Sequence, residues 1–146
     1  MPTTSTRRKS PRVTVQYAVP RRGVPSAGRL RAWAALVPSA ATLRIVGAAE
    51  GRRLNQRYRN KPYATNVLSF PYEKGRGDIV LCHPVIAREA RAQRKSRAAH
   101  YAHLLLHALL HLRGYRHERK REARRMERAE IRLLARAGFG NPYTVE

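Results

Sequence analysis

The sequence predicts one α+β domain of four strands and five helices. Two observations carry that expectation. Short runs that alternate apolar and polar residues recur among longer runs with apolar residues three and four apart, and turn residues separate the two kinds. At 146 residues the chain has the length of one domain and can bury roughly two-thirds of its unfolded surface without covalent staples.

Residues 13–19 alternate as a strand, 20–28 are Pro/Gly punctuation, and 29–37 place Leu30, Trp33, Ala34 and Val37 on one helical face. After Pro38, residues 41–47 read as a second strand and 48–58 as a helix with Leu54 inward. Two strands follow at 66–72 and 78–82, around a Gly-containing loop at 73–77. Pro71 cannot donate to a strand ladder, so it ends its strand or lies at a sheet edge. Pro84 suits a first helical turn that 85–93 continues. Ser96 is placed to cap a long helix running to Leu112. A last helix, 118–137, buries Ala123, Met126, Leu133, Leu134 and Ala137 and stops at Gly138. No internal repeat is present.

The end of the long helix holds the strongest chemical signal, His107 and His111 as H-x-x-x-H with His117 six residues further on. Imidazoles at i and i+4 share a helical face, and Gly114 can take the φ > 0 turn that swings His117 back to them. A lone histidine on an apolar face is ordinarily structural; three at this spacing with a glycine between them predict a metal site. Three neutral imidazoles without carboxylate or thiolate suit one zinc ion per chain, with a fourth tetrahedral position open as in catalytic sites. The same spacing occurs in zinc peptidases that carry a glutamate base after the first histidine, but here that position is Ala108. His103 is too far from His111, roughly 12 Å along a helix, to share an ion with it and is expected to support the site or the core. His83 and His100 read as structural.

Charge points to the partner. Lys plus Arg number 31 against 9 Asp plus Glu, a formal net charge of +22 that favours polyanions. The last helix places Arg121, Arg125, Arg128, Arg132 and Arg136 in one stripe able to follow phosphates, or else to pair with Glu118, Glu122 and Glu127 on a solvated face. Cys82 is the one cysteine, which excludes an intramolecular disulfide and a multi-cysteine zinc finger. No apolar run is long enough to span a bilayer, and residues 1–12 lack the hydrophobic stretch of a secretory signal. The expectation is a disordered basic arm at 1–12, a single catalytic domain at 13–146, no membrane partner and a cytoplasmic location.

The segments Tyr58-Arg59, Thr65-Asn66-Val67-Leu68-Ser69-Phe70-Pro71, Gly77-Asp78-Ile79, His107 to His117 and Met126-Glu127 together resemble the YbeY family of bacterial rRNA-maturation endoribonucleases. The resemblance covers about residues 43–143. It implies an α+β domain around a small central mixed sheet, zinc on His107, His111 and His117, and hydrolysis of single-stranded RNA. It further implies action on small-subunit ribosomal RNA, with the ribosome small subunit as partner, in maturation and quality control. Arg59 matches the family's functional arginine, expected to face the metal across a cleft and, with His107, to belong to the catalytic set.

Two departures from the family pattern bear on chemistry. Arg116 stands where the family usually has Asp, and an acidic neighbour could support a ligating histidine, so weaker zinc binding is expected. Ala108 replaces a more frequent Gly, a one-methyl change expected to be tolerated. Whether water or a neighbouring 2′-OH attacks the phosphodiester stays open. The competing classes are a non-catalytic zinc-containing ribosome-assembly factor and a zinc peptidase without its glutamate, which Ala108 argues against.

Overall fold

A computed structural model describes residues 12–144 of the chain. The expected basic arm lies outside the described residues except for Arg12, whose carbonyl accepts from the Ala41 N–H at 2.9 Å. Among the described residues the order is β1 (Val13–Tyr17), α1 (Ala27–Ala34), β2 (Ala40–Val46), α2 (Ala48–Arg59), β3 (Val67–Glu73), β4 (Arg76–Cys82), α3 (His83–Ala92), α4 (Arg97–Leu112) and α5 (Lys120–Arg136). The α+β class holds, and every anticipated element is present.

The four strands form one mixed sheet in the order β1-β2-β4-β3. β1 and β4 run parallel to β2, and β3 runs antiparallel to β4. β3 is therefore an edge strand, which is where Pro71 can sit, and the register slips between Pro71 and Glu73. The hairpin is tighter than the sequence suggests: Lys74 and Gly75 alone join Glu73 to Arg76, with Gly75 at φ +78°. That turn is anchored from two sides, as the Gly75 N–H donates to the Leu112 carbonyl at 2.7 Å and its carbonyl accepts from Ala40 at 2.8 Å. The tip of the hairpin is thus tied to the end of α4.

Local chemistry sets the helix boundaries. Ser96 caps α4, its Oγ accepting from the Ala99 N–H at 3.0 Å, as expected. Ser26 does the same for α1 toward Arg29 at 3.2 Å, so α1 begins at Ala27, three residues before Leu30 opens its apolar face. It also ends early, and tight turns bonding Leu36 to Trp33 and Val37 to Ala34 carry Val37 into the core beyond it. Pro84 occupies the first turn of α3, where a missing N–H costs nothing.

Two cores result. On one face of the sheet, Leu43, Ile45, Ile79 and Leu81 pack with Leu30 and Trp33 of α1, Tyr101, Leu105 and Leu109 of α4, and Met126 and Leu134 of α5. On the other, Val46, Leu68, Val80 and Cys82 meet Val85, with Leu54 and Phe70 partly buried beside them. α4 is the central helix, touching β3, β4, α1, α3 and α5. Among the described residues no helix is long and apolar enough to cross a membrane. Of the five residues expected to be buried on α5, Met126 and Leu134 are, while Ala123, Leu133 and Ala137 are half-buried.

Gly77 shows why the hairpin tolerates no side chain there. A Cβ would lie 2.5 Å from the Phe70 carbonyl oxygen and 2.9 Å from Pro71 Cα, both backbone atoms that cannot step aside. Gly77→Ala is expected to destabilise the protein by about 1–3 kcal/mol, the usual cost of overpacking, in chemical denaturation. A midpoint unchanged from the native chain would show that β3 and β4 separate more easily than this register allows.

Candidate metal centre

The turn that follows α4 builds the site. Arg113 caps the helix, Gly114 takes φ +99°, the Gly114 N–H donates to His111 O and the Tyr115 N–H to Leu110 O, both at 3.0 Å. This left-handed glycine ending satisfies the last helical carbonyls and reverses the chain. The Tyr115 carbonyl is thereby aimed back at His111 Nδ1, 3.1 Å away. His117 arrives beside the pair, its ring centroid 4.8 Å from that of His111 and 5.6 Å from that of His107.

Hydrogen bonding fixes the tautomers. A carbonyl only accepts, so His111 carries its proton on Nδ1 and leaves Nε2 a lone pair. Burial first, then the neighbouring His107 and His117, push the His111 pKa down, which keeps the ring neutral and fit to ligate. His107 Nδ1 lies 2.5 Å from Glu130 Oε2 and donates to it in the same way. The two Nε2 atoms then face each other at 3.2 Å, an arrangement that a shared cation satisfies. Two nitrogens bound at roughly 2.0–2.1 Å to one tetrahedral ion stand about 3.3–3.4 Å apart, so the spacing fits. Donor atoms of His107, His111 and His117 all lie within 4.8 Å of one another, and the group could hold a metal ion.

Glu130 is the functional residue that sequence reasoning missed. It is fully buried, and besides His107 it accepts from His103 Nε2 at 2.8 Å and from the Tyr143 hydroxyl. Burial raises its pKa, but the bonds from His103, His107 and Tyr143 outweigh that and bring it down to about 2, so it is a carboxylate. A signal was available: Met126, Glu130 and Leu134 fall four apart, and an acid in the middle of an apolar stripe needs a partner. His103 supports the site through Glu130 and lies outside the converging group. His83 bonds the Tyr101 hydroxyl at 2.7 Å and His100 the Glu89 carboxylate at 2.8 Å, both structural contacts.

The three histidines open into a cleft whose other wall is β3, through Val67, Ser69 and Pro71. Arg59, the last residue of α2, lines the same cleft. Asn60 ends that helix in the left-handed region at φ 58°, while Arg57 turns to the Tyr58 ring, 5.5 Å from its centroid. The structure thus separates two arginines that composition could not. Arg116 also lines the cleft, exposed and 4.0 Å from Glu118. Glu130 on α5 supplies the carboxylate to which His107 Nδ1 donates. Ala108 is fully buried in the core, so a base at that position would point away from the cleft.

Arg121, Arg125, Arg128, Arg132 and Arg136 are all exposed. None of them forms an ion pair with Glu118, Glu122 or Glu127 among the described residues. Arg125 instead lies over the Tyr115 ring, 5.3 Å from its centroid, beside the cleft, and the other four lie outside it.

Fold and site define a small α+β protein with a solvent-open, three-histidine centre of the kind that holds a metal ion. The sequence pattern described as Endoribonuclease YbeY matches residues 33–138. A relative of that description from Aromatoleum aromaticum is 49% identical over 140 residues, covering 90% of this chain and 91% of its own. One from Stenotrophomonas maltophilia strain K279a is 46% identical over 151 residues, covering 92% and 94%. The solution structure of TM1509 from Thermotoga maritima shares the fold, with a TM-score of 0.56 at 19% identity over 92% of this chain and all of that one. This chain belongs to the YbeY endoribonuclease family.

Replacing Glu130 with Gln keeps the size but removes the charge and one acceptor oxygen. Metal affinity, titrated with zinc against a chromophoric chelator, is expected to fall about 10- to 100-fold, as when other supporting carboxylates are lost. Equal affinity in the variant would mean that His107 is oriented without it.

Proposed function

We propose that the protein is a zinc-dependent endoribonuclease that cleaves single-stranded RNA and acts in the maturation and quality control of small-subunit ribosomal RNA in the cytoplasm. One observation supports this above the others: Arg59 and three converging histidines face one open cleft. Zinc is the ion this neutral imidazole set suits, and when bound it supplies Lewis acidity, activating water at neutral pH and polarising a phosphoryl oxygen.

The chain's own residues do the rest. His107, His111 and His117 hold the ion, Glu130 and the Tyr115 carbonyl keep the first two rings turned inward, and the Gly114 turn carries the third. Arg59 presents a planar guanidinium to the phosphodiester and stabilises the charge that gathers on its oxygens in the transition state. The cleft's cationic rim, with Arg116 and the nearby Arg125, draws the polyanion in. The exposed stripe Arg121, Arg125, Arg128, Arg132 and Arg136 tracks the backbone away from the cleft and is also the surface for the ribosome small subunit. That stripe is the one feature that favours a non-catalytic assembly role, since docking would use it without the cleft.

Cleavage separates the readings. His111→Ala is expected to abolish cutting of single-stranded RNA while RNA affinity stays near that of the native protein. Arg59→Lys should lose much of the rate with metal content unchanged, because Lys keeps the charge without the fork. A 2′,3′-cyclic phosphate end would identify the neighbouring 2′-OH as nucleophile, and its absence from the first products would identify water. Purified native protein that binds RNA yet never cuts it would leave the assembly-factor reading standing instead.

A further inference from the structure

β3 has two faces. Val67, Ser69 and Pro71 look into the histidine cleft, and Phe70 and Tyr72 alternate to the opposite side. There they meet Tyr58, whose ring contacts Phe70 edge to face at 5.2 Å between centroids. Tyr58 is 54% and Tyr72 69% exposed, a high exposure for rings that could have been buried. α2 covers only part of this side of the sheet, and register aligns Thr14, Thr42, Asp78 and Phe70 in a row that stays at least partly open across all four strands. The hollow beside them, about 560 Å³, falls within the roughly 300–1,000 Å³ of small-molecule sites.

We propose that Tyr58, Phe70 and Tyr72 form a base-stacking subsite for single-stranded RNA, reached from the metal cleft by passing over the β3 edge. The inference rests on the endoribonuclease reading and adds to it where the strand runs on leaving the cleft. Chain continuity is the first argument. Tyr58 and Arg59 are adjacent, one on the aromatic side and the other in the cleft, so one strand can touch both. Charge is the second. The Arg57 guanidinium lies at the Tyr58 ring, where a phosphate flanking a stacked base would pass, and the chain as a whole carries +22.

The polar lining decides against an apolar protein segment. Gln16, Arg44, Glu50 and Asp78 share the hollow, and an apolar partner would strip them of water without replacing their hydrogen bonds. A nucleobase offers N–H and C=O edges to the same groups. Of the two carboxylates, Glu50 is offset by Arg44 through two bonds of 2.7 and 3.1 Å, while Asp78 accepts from the Tyr72 hydroxyl and keeps acceptor capacity for a base N–H.

Anisotropy measurements with a short mixed-sequence 2′-O-methyl oligonucleotide and its abasic counterpart test the subsite. Tyr58→Ala and Tyr72→Ala are each expected to weaken binding of the base-bearing strand by about five-fold or more, the loss of one stacked base. Neither should alter binding of the abasic strand, and Tyr72→Phe, which keeps the ring but takes the hydroxyl from Asp78, should lose far less than Tyr72→Ala. In cleavage of ordinary RNA, Tyr72→Ala should raise KM by about the factor by which it weakens binding. If the alanine variants bind the base-bearing strand as tightly as a native protein that still cuts RNA, the subsite is overturned and the face is left to a protein partner. Equal weakening on the abasic strand would also overturn stacking. If the native protein neither binds nor cuts RNA, the endoribonuclease reading falls and the subsite falls with it.

Discussion

The carboxylate of Glu130, sealed from solvent between α4 and α5, is the interaction on which the site depends. A buried charge is costly unless its lone pairs are satisfied, and this one accepts from His103, His107 and Tyr143. Three donors from two other parts of the chain therefore lock α5 and the segment after it onto α4. The bond from His107 turns that ring so that its Nε2 faces that of His111. Packing and ligand geometry become one problem: the helix pair cannot shift without misaligning the imidazole.

A second constraint shapes the opposite wall. The hairpin between β3 and β4 is pinned to the C-terminus of α4 through Gly75 and Leu112, and Gly77 brings β4 against the Phe70 and Pro71 backbone closely enough to exclude any side chain. The strand that lines the cleft is thus held to the helix that supplies its histidines. β3 is an edge strand with Pro71 and a register slip, which keeps its outer rim from pairing with another chain while leaving both its faces accessible. A cleft on one face and aromatic rings on the other follow from the two-residue period of a single strand.

Much of this was legible in the sequence because the relevant signals are local. The histidine spacing, the Gly114 turn, the Ser96 cap and the edge position of Pro71 each depend on a few neighbouring residues and on rules of backbone geometry. Element order followed from periodicity, while boundaries moved where a cap such as Ser26 or a two-residue hairpin overrode it. Glu130 was not read, because its meaning lies in a contact with His107 made 23 positions away in the chain. Arg59 was distinguished from Arg57 only by family resemblance, since both are arginines at the exposed end of one helix; the turn at Asn60 and the ring of Tyr58 are what send them different ways. The Arg stripe could be drawn from spacing, but whether its members paired with nearby glutamates depended on side-chain directions that spacing does not set.

The most direct test of the account is long-range ¹H–¹⁵N NMR of the histidine side chains in the metal-free protein at neutral pH. The hydrogen bonds to Glu130 and to the Tyr115 carbonyl require protons on Nδ1 of both His107 and His111, each with an Nε2 ready to bind. His107 should lose that Nδ1–H pattern in Glu130→Leu, which offers Nδ1 no acceptor, while His111 keeps it. Finding His107 and His111 of the native protein protonated on Nε2 and bare on Nδ1 would contradict the claim that the buried carboxylate and the turn after α4 prepare this site for a metal ion.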